Sequence, residues 1–353
     1  MKMRNIRLPR RAFGALLLGV AALATLATAN AAPSTSFSVT GAVQQPKTYD
    51  AAALAAISNT TQTVSFLSGS TPQTHTYTGA SLWNVINAST PVLGSNKNDV
   101  LNRIVLATGT DGYRVVYSLG ELNPNFGNRP DLVAGAETIN GVSAPLGADG
   151  FARTTAPGDV KGGRYLSNLV SLDVRASGST ATGIGGGVST SFSVSGAVKT
   201  ASSFNLAALQ GLTSVTETVG GVSYTGVSFW DFLNKTVGLS LDPAVKNDVL
   251  NKYVVATGSD GYKAAFSLGE LSSDFGNESV MIAYSADGQS LGTNGFARLV
   301  VPGDVKAGRW VSNLVSLEVL SAAAAPVPEP AHWALMAAGL VLLGVAKAKR
   351  RRG

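Results

Sequence analysis

The sequence predicts an α+β protein made of two tandem copies of one domain, each with mixed β-sheets interrupted by short helices. Three observations carry this. A long internal repeat runs through the chain: STSFSVTGAV (34–43) returns as STSFSVSGAV (189–198), and Lys97 to Leu122 matches Lys246 to Leu271 at 18 of 26 positions. Within each copy, segments of apolar–polar alternation are separated by short helical patterns, which is the signature of strands and helices mixed in one fold. There is no cysteine, so ordinary apolar cores must hold each copy together. The 353 residues suit about two such cores. The boundaries that follow are 34–175 for the first copy, a linker over 176–188 and 189–320 for the second copy.

Taken in order, SFSVTGAV alternates and reads as a strand. DAAALAAI and FNLAALQGL are short helices, with Asp50 and Asn205 placed to cap them. TQTVSFLSG and HTYTG form a hairpin, and TETVGGVSYTG repeats it with Gly-Gly at the turn. YTGASLWNVIN and YTGVSFWDFLN begin a helix behind Ser81 and Ser228, with Trp83 and Trp230 in core positions. RIVLATGTDGYRVVYSL and KYVVATGSDGYKAAFSL are strand–turn–strand patterns bent at Asp-Gly. Each copy closes on a Pro-Gly-Asp turn and a strand, NLVSLDV or NLVSLEV. Between the copies, ASGSTATGIGGGV has the composition of a flexible linker.

The formal charge of +6 belongs to the ends. Five basic residues lie within the first eleven and five within the last seven, and setting them aside leaves 17 basic against 21 acidic residues. The body carries no basic footprint, which excludes a nucleic-acid partner. At the start, a basic stretch, an apolar run and Ala29-Asn30-Ala31 form a signal peptide over residues 1–31; whether export follows the general or the twin-arginine route (Arg10-Arg11) stays open. Residues 321–353 form an Ala/Pro stalk, an apolar run over 331–346 and a basic cluster. The run is slightly short of the roughly 20 residues that span a bilayer, and its basic flank reads as cytoplasmic. The order Val327-Pro328-Glu329-Pro330, helix, then Arg350, Arg351 and Arg352 resembles the PEP-CTERM sorting signal of Gram-negative bacteria. That resemblance implies an exosortase-type processing enzyme as partner, cleavage near Pro-Glu-Pro, and delivery from the inner membrane to the cell surface or exopolysaccharide matrix.

Standard catalytic sets fail on the residue count. His75 and His332 are the only histidines; His332 lies in the tail and His75 has no counterpart in the second copy. Zinc sites of His/Cys type are excluded with them, and loops such as SADGQSLGTNG lack the spaced carboxylates of a calcium loop. Asp111 with Asp159 is the one repeated acidic set that a glycosidase would need, although Asp159 also reads as turn chemistry.

What recurs is a set: YTGxS(L/F)W, ATGxDGY(R/K), FGN, and GFAR ahead of PGDVKxGR(Y/W). Together these are similar to the oxidoreductase molybdopterin-binding domain of the sulfite oxidase superfamily, over 37–174 and 192–319. The resemblance implies that the Pro-Gly loop and its downstream basic residues help hold a pterin phosphate. It also implies a cysteine thiolate on molybdenum in the segment after the first helix. The corresponding stretches, TVSFLSGS (63–70) and VTETVGG (215–221), contain none, and Ser and Thr hydroxyls bind such a metal poorly.

Read from the residues, PGDVKGGRYLSNLVSLDV (157–174) and its twin (302–319), identical at 14 of 18 positions, allow two outcomes. Lys161, Arg164, Lys306 and Arg309 meet an anion at a glycine-rich backbone, with Tyr165 and Trp310 stacking on a ring. Alternatively the turn is only a turn, the basic pair is solvated and the aromatic packs inward. Asp111, Tyr113 and Arg114, with Asp260, Tyr262 and Lys263, face the same choice between a pocket wall and an exposed hairpin. The expectation is an exported, non-catalytic surface or matrix protein with no cofactor, binding an extracellular polysaccharide or small anion. The other reading is a molybdopterin-dependent oxidoreductase that holds its cofactor without the thiolate.

Overall fold

The computed structural model describes residues 32–322, which belong to one compact unit. The segments read from the sequence as a signal peptide (1–31) and as an apolar helix (331–346), the Pro-Glu-Pro motif and the terminal arginines lie outside the described residues. Among the described residues no helix is long and apolar enough to cross a membrane.

The first half runs β1 (Ser36–Gly41), β2 (Lys47–Asp50), α1 (Ala51–Ile57), β3 (Thr60–Ser68), β4 (Thr71–Ser81), α2 (Leu82–Asn87), β5 (Arg103–Gly109), β6 (Arg114–Ser118), α3 (Leu119–Leu122), β7 (Leu132–Ile139), β8 (Val142–Pro145), β9 (Arg153–Thr154) and β10 (Leu169–Ala176). The second half runs β11 (Ser191–Gly196), β12 (Ser202–Asn205), α4 (Leu206–Gln210), β13 (Val215–Val219), β14 (Val222–Ser228), α5 (Phe229–Asp231), β15 (Lys252–Gly258), β16 (Lys263–Ser267), α6 (Leu268–Leu271), β17 (Met281–Ala286), β18 (Gln289–Ser290), β19 (Arg298–Val300) and β20 (Leu314–Ser321).

One sheet of the first half has the order β2-β1-β10-β5-β6, and the second half has the same order in β12-β11-β20-β15-β16. In each, the first and last long strands of the half (β1 with β10, β11 with β20) pair in parallel, and the other neighbours are antiparallel. The other sheet is β3-β4-β7-β8 with β9 on β7, matched by β13-β14-β17-β18 with β19 on β17.

The sequence overstates the helices. The fold is predominantly sheet, and the longest α-helix among the described residues, α1, has seven residues. A helix that short is marginal by itself. It persists here because Asp50 accepts from Ala53 N at 2.8 Å and Leu54 is fully buried. Asn205 and Ser228 cap their helices in the same way. Another difference concerns 176–188, composed like a flexible linker. Ser177 O accepts from Tyr253 Oη at 2.6 Å, Ser179 O accepts from Lys263 Nζ at 2.8 Å, and Ile184 N and Gly186 N both donate to Ser259 O at 2.8 Å. Small residues let this segment lie close along the second half, where its backbone groups find partners.

The halves share their cores. β5 is buried on both faces: Val105 and Ala107 join the core of the first half, while Ile104 and Leu106, with Val116 of β6, pack against Tyr253, Val255 and Ala265 of the second. Leu250 and Phe275 of the second half enter the first core, and Leu101 and Phe126 of the first half enter the second.

This exchange explains the glycines of the repeated loop. A Cβ on Gly163 would lie 2.4 Å from the ring of Phe275, and one on Gly308 would lie 2.2 Å from the ring of Phe126. Gly163→Ala and Gly308→Ala should each force an aromatic ring of the opposite half to move. The expected loss is about 1–3 kcal/mol for each, read as a lower urea midpoint. Gly211→Ala, where the nearest atoms stand at 3.5 Å, should leave the midpoint unchanged.

Candidate functional site

The loop that most resembles a cofactor cradle points inward. Arg164 is fully buried, and each guanidinium nitrogen meets a carboxylate oxygen: Nε to Asp159 Oδ2 at 2.8 Å, Nη2 to Asp159 Oδ1 at 2.6 Å, and Nη1 to Glu121 Oε2 at 3.1 Å. Arg309 repeats the arrangement with Asp304 (2.9 and 2.5 Å) and Glu270 (2.7 Å). Pro-Gly-Asp thus does more than turn the chain, because its Asp supplies the first counter-charge for the Arg five residues on.

The two glutamates were not among the residues singled out by sequence, although the signal for them is local. Ser118-Leu-Gly-Glu121 and Ser267-Leu-Gly-Glu270 are capping boxes: each Ser accepts from its Glu backbone N at 3.0 Å, and each Glu accepts from its Ser backbone N at 2.9 Å. The same carboxylates then bind across the two halves. Ser118 Oγ donates to Glu270 Oε1 at 3.2 Å, and Ser267 Oγ donates to Glu121 Oε2 at 3.2 Å. Small residues open the way. A Cβ on Gly269 would lie 2.8 Å from Arg164 Cδ, and one on Gly120 the same distance from Arg309 Cδ.

The tyrosines of the Asp-Gly-Tyr hairpins fasten the same joint. Tyr113 Oη donates to Gly163 O at 2.8 Å and accepts from Asn247 Nδ2 of the other half at 2.8 Å. Tyr262 Oη donates to Gly308 O at 2.7 Å and accepts from Asn98 Nδ2 at 3.1 Å. Asp111 and Asp260 are turn residues, each accepting the N–H of its tyrosine at 2.9 and 3.0 Å, with Gly112 and Gly261 at positive φ.

The remaining singled-out residues are placed as follows. Lys161 reaches across to Asp274 at 2.6 Å, and Lys306 reaches to Asn125 at 2.7 Å. Tyr165 is buried with its ring 4.1 Å from Phe66, and Trp310 donates Nε1 to Val301 O at 3.1 Å; both pack inward. Arg114 is half-buried at the start of β6. Asp260, Tyr262 and Lys263 line a cavity of about 520 Å³ together with Asn96, Lys97 and Thr182. Burial lowers the Lys263 pKa, and its ammonium is held by the linker carbonyl described above. His75 Nδ1 lies 2.6 Å from Glu137 Oε1. Asp159, enclosed by Arg164, is not available to pair with Asp111 as a glycosidase acid or base.

The ionic joint is unbalanced. Arg129 lies 3.4 Å from Asp159 and 3.6 Å from Glu278, so three guanidinium groups face Glu121, Asp159, Glu270, Glu278 and Asp304. Asp131 adds a sixth carboxylate, 1 % exposed, and neither of its oxygens has a hydrogen-bond partner. Burial, reinforced by Glu270, drives the Glu121 pKa well above the usual carboxylate range against the pull of Arg164. Burial also raises the pKa of Glu278 and of Asp304. Asp131 is pushed up from 3.8 to about 6, by burial first, with Arg164 and Arg129 opposing and Asp159 and Glu270 adding.

Comparison with known proteins follows the repeat only in part. Residues 195–333 match the oxidoreductase molybdopterin binding domain, less than half of the chain. No curated protein matches. Among solved structures, the chain is similar to the sulfane dehydrogenase SoxCD from Paracoccus pantotrophus, with 13 % identity over 79 % of this chain and 77 % of that one. The TM-score of 0.31 is too low for that likeness to carry an argument. The arginines of the repeated loop are not free to hold a pterin phosphate, because every nitrogen of Arg164 and Arg309 is already bonded to a carboxylate. The hydroxyls of β3 and β4 are likewise paired with one another, Thr63 with Thr76 at 2.8 Å and Ser65 with Thr74 at 2.9 Å.

Two outcomes follow from this geometry. Arg164→Ala strands Asp159 and Glu121 in a closed space and should cost about 3–5 kcal/mol, measured by urea unfolding. For Asp131, the folded pKa is raised above the unfolded one, so its contribution is fully present below about pH 4 and is lost as pH rises through about 6. The difference between 3.8 and about 6 corresponds to about 3 kcal/mol. Asp131→Val, the residue that the second half carries as Val280, should therefore raise stability at pH 8 relative to wild type and have little effect at pH 4.

Proposed function

We propose that this chain is an exported, non-catalytic surface or matrix protein, in which two molybdopterin-binding-type domains are joined face to face and used for binding or for structure. The observation that carries this reading is the burial of Arg164 and Arg309. Each copy of the loop that would meet a pterin phosphate instead commits its arginine to an internal joint. The sequence adds support, since with no cysteine in the chain no thiolate is available to bind molybdenum. Export and delivery to the cell surface rest on the leader over 1–31 and on the Pro-Glu-Pro tail, with an exosortase-type enzyme as processing partner.

A second reading is favoured by the match over residues 195–333: a molybdopterin-dependent oxidoreductase that holds its cofactor elsewhere and without a thiolate. The two are separated by elemental analysis and pterin fluorescence of the full-length protein, purified from its own molybdenum-replete host. The proposal expects molybdenum far below one atom per chain and no released pterin. Stoichiometric molybdenum with pterin would overturn it.

A further inference from the structure

The two halves end alike. Ser177 N, just beyond β10, donates to Asn102 O at 3.0 Å, and Ala322 N, just beyond β20, donates to Asn251 O at 2.8 Å. These residues correspond in the repeat, so the chain leaves the two five-stranded sheets at equivalent points. Beyond Ser177 it crosses to the second half. There Ser177 O accepts from Tyr253 Oη, Ser179 O accepts from Lys263 Nζ, and Thr180 N donates to Glu318 Oε2 at 3.1 Å. Strand register puts Lys263 and Glu318 on one face of their sheet. Beyond Ala322 the chain lies outside the described residues.

The first half carries a matching face. Arg114 stands where the second half has Lys263, and Asp173 where it has Glu318. Beside the second pair, Thr257 and Ser316 are buried, whereas Thr108 and Ser171 are only half-buried. Among the described residues the Arg114 side chain has no hydrogen-bond or ion-pair partner. The first carbonyl of the exit is nevertheless held. Ala322 O accepts from Arg175 Nη1 at 2.6 Å. Ile104 and Arg175 are cross-strand partners, standing where the second half pairs Tyr253 with Leu320. The donor has changed strand and kind, yet it reaches the equivalent carbonyl. Arg175 also donates Nε to Asp173 Oδ2 at 2.7 Å, which leaves Oδ1 as an acceptor.

We infer that residues 323–326 dock on this face of the first half as 178–181 dock on the second, with Ala324 O accepting from Arg114 and Ala325 N donating to Asp173. Ala323-Ala324-Ala325, like the Gly-Ser-Thr they match, carry small side chains, so backbone groups can reach partners on the sheet. One position differs: Gly178 has a φ of +67°, which alanine adopts only at a cost. The shared path ends before Pro328. Its counterpart Gly183 passes so close to the second hairpin that a Cβ would lie 2.3 Å from Gly261 N, and a proline ring does not fit there. Docking through residue 326 starts the Pro-Glu-Pro motif at the edge of the folded body rather than at the end of a free stalk. The inference does not depend on whether the protein holds molybdopterin.

The test uses the full chain and follows backbone amide exchange by mass spectrometry, with a free peptide of the tail sequence as the unprotected reference. Exchange across 323–325 should be at least about tenfold slower than in the peptide, at every protein concentration. Arg114→Gln should return it towards the peptide rate and leave 177–181 unchanged, and Lys263→Gln should do the reverse. Ala323→Gly should increase the protection. Ala325→Pro removes the N–H offered to Asp173 and should free Ala323 and Ala324. Thermal melts check folding, and Ala325→Pro, beyond the last strand, keeps the test open if Arg114→Gln unfolds. Peptide-like rates in the wild-type chain would overturn the inference. So would protection that survives both Arg114→Gln and Ala325→Pro, or protection that grows with protein concentration, which would make a second copy the source of the cover.

Discussion

Everything else in the fold is arranged around one reciprocal contact: a buried arginine from each half, closed by an aspartate of its own loop and by a capping glutamate that also accepts from the other half. Arg164 and Arg309 are among the largest fully buried side chains in the described residues. Taking such charges out of water is expensive, and the cost is offset only when every donor and acceptor finds a partner. That condition constrains the chain over a long distance. It needs glycine at 120 and 269 so that the arginine stems can pass, and glycine at 163 and 308 so that Phe275 and Phe126 can cover them. It also needs the tyrosines of the two Asp-Gly hairpins to hold the loop carbonyls in place. Ion pairs of this kind add little net stability compared with an apolar seam. Here they fix the register in which the two halves meet, while Ile104, Leu106, Val116 and their counterparts supply the apolar burial.

The same contact bears on function. A repeated, charged, glycine-rich loop suggests a cradle for an anion, and its repetition suggests two such sites. In the folded chain, the loop is the means by which one half grips the other. Departures from symmetry are then the informative places. Asp131 against Val280 leaves one carboxylate unpartnered in the joint, and Val85 against Phe232 puts a smaller side chain in the first half. Since the repeat shows what each position carries in the other half, these two departures stand out from positions where both halves agree.

Much of this was legible locally. The Asp50 and Asn205 caps, the Gly-Gly hairpin, the Asp-Gly turns and the strand patterns are set by contacts a few residues apart, and they form where the sequence places them. Some signals were present but pass easily unnoticed. Ser-Leu-Gly-Glu is a capping box in both halves, and the unalternating run Ile104-Val105-Leu106-Ala107 marks a strand buried on both faces. The linker's composition misleads because small residues suit close packing as well as flexibility.

The sequence by itself determined the internal repeat, the caps and turns within each half and the lack of cysteine, because these depend on residue identity and short-range geometry. Only the tertiary structure decided which way Arg164 and Arg309 point. Near a glycine turn, a guanidinium can face water, an anionic ligand or an internal carboxylate with equal local plausibility. The choice rests on Glu121 and Glu270, 43 and 39 residues away in the chain, and on serines of the opposite half that lie 146 and 152 residues from those glutamates. Partners at that separation meet only when the whole core has closed, so their pairing is a property of packing rather than of pattern.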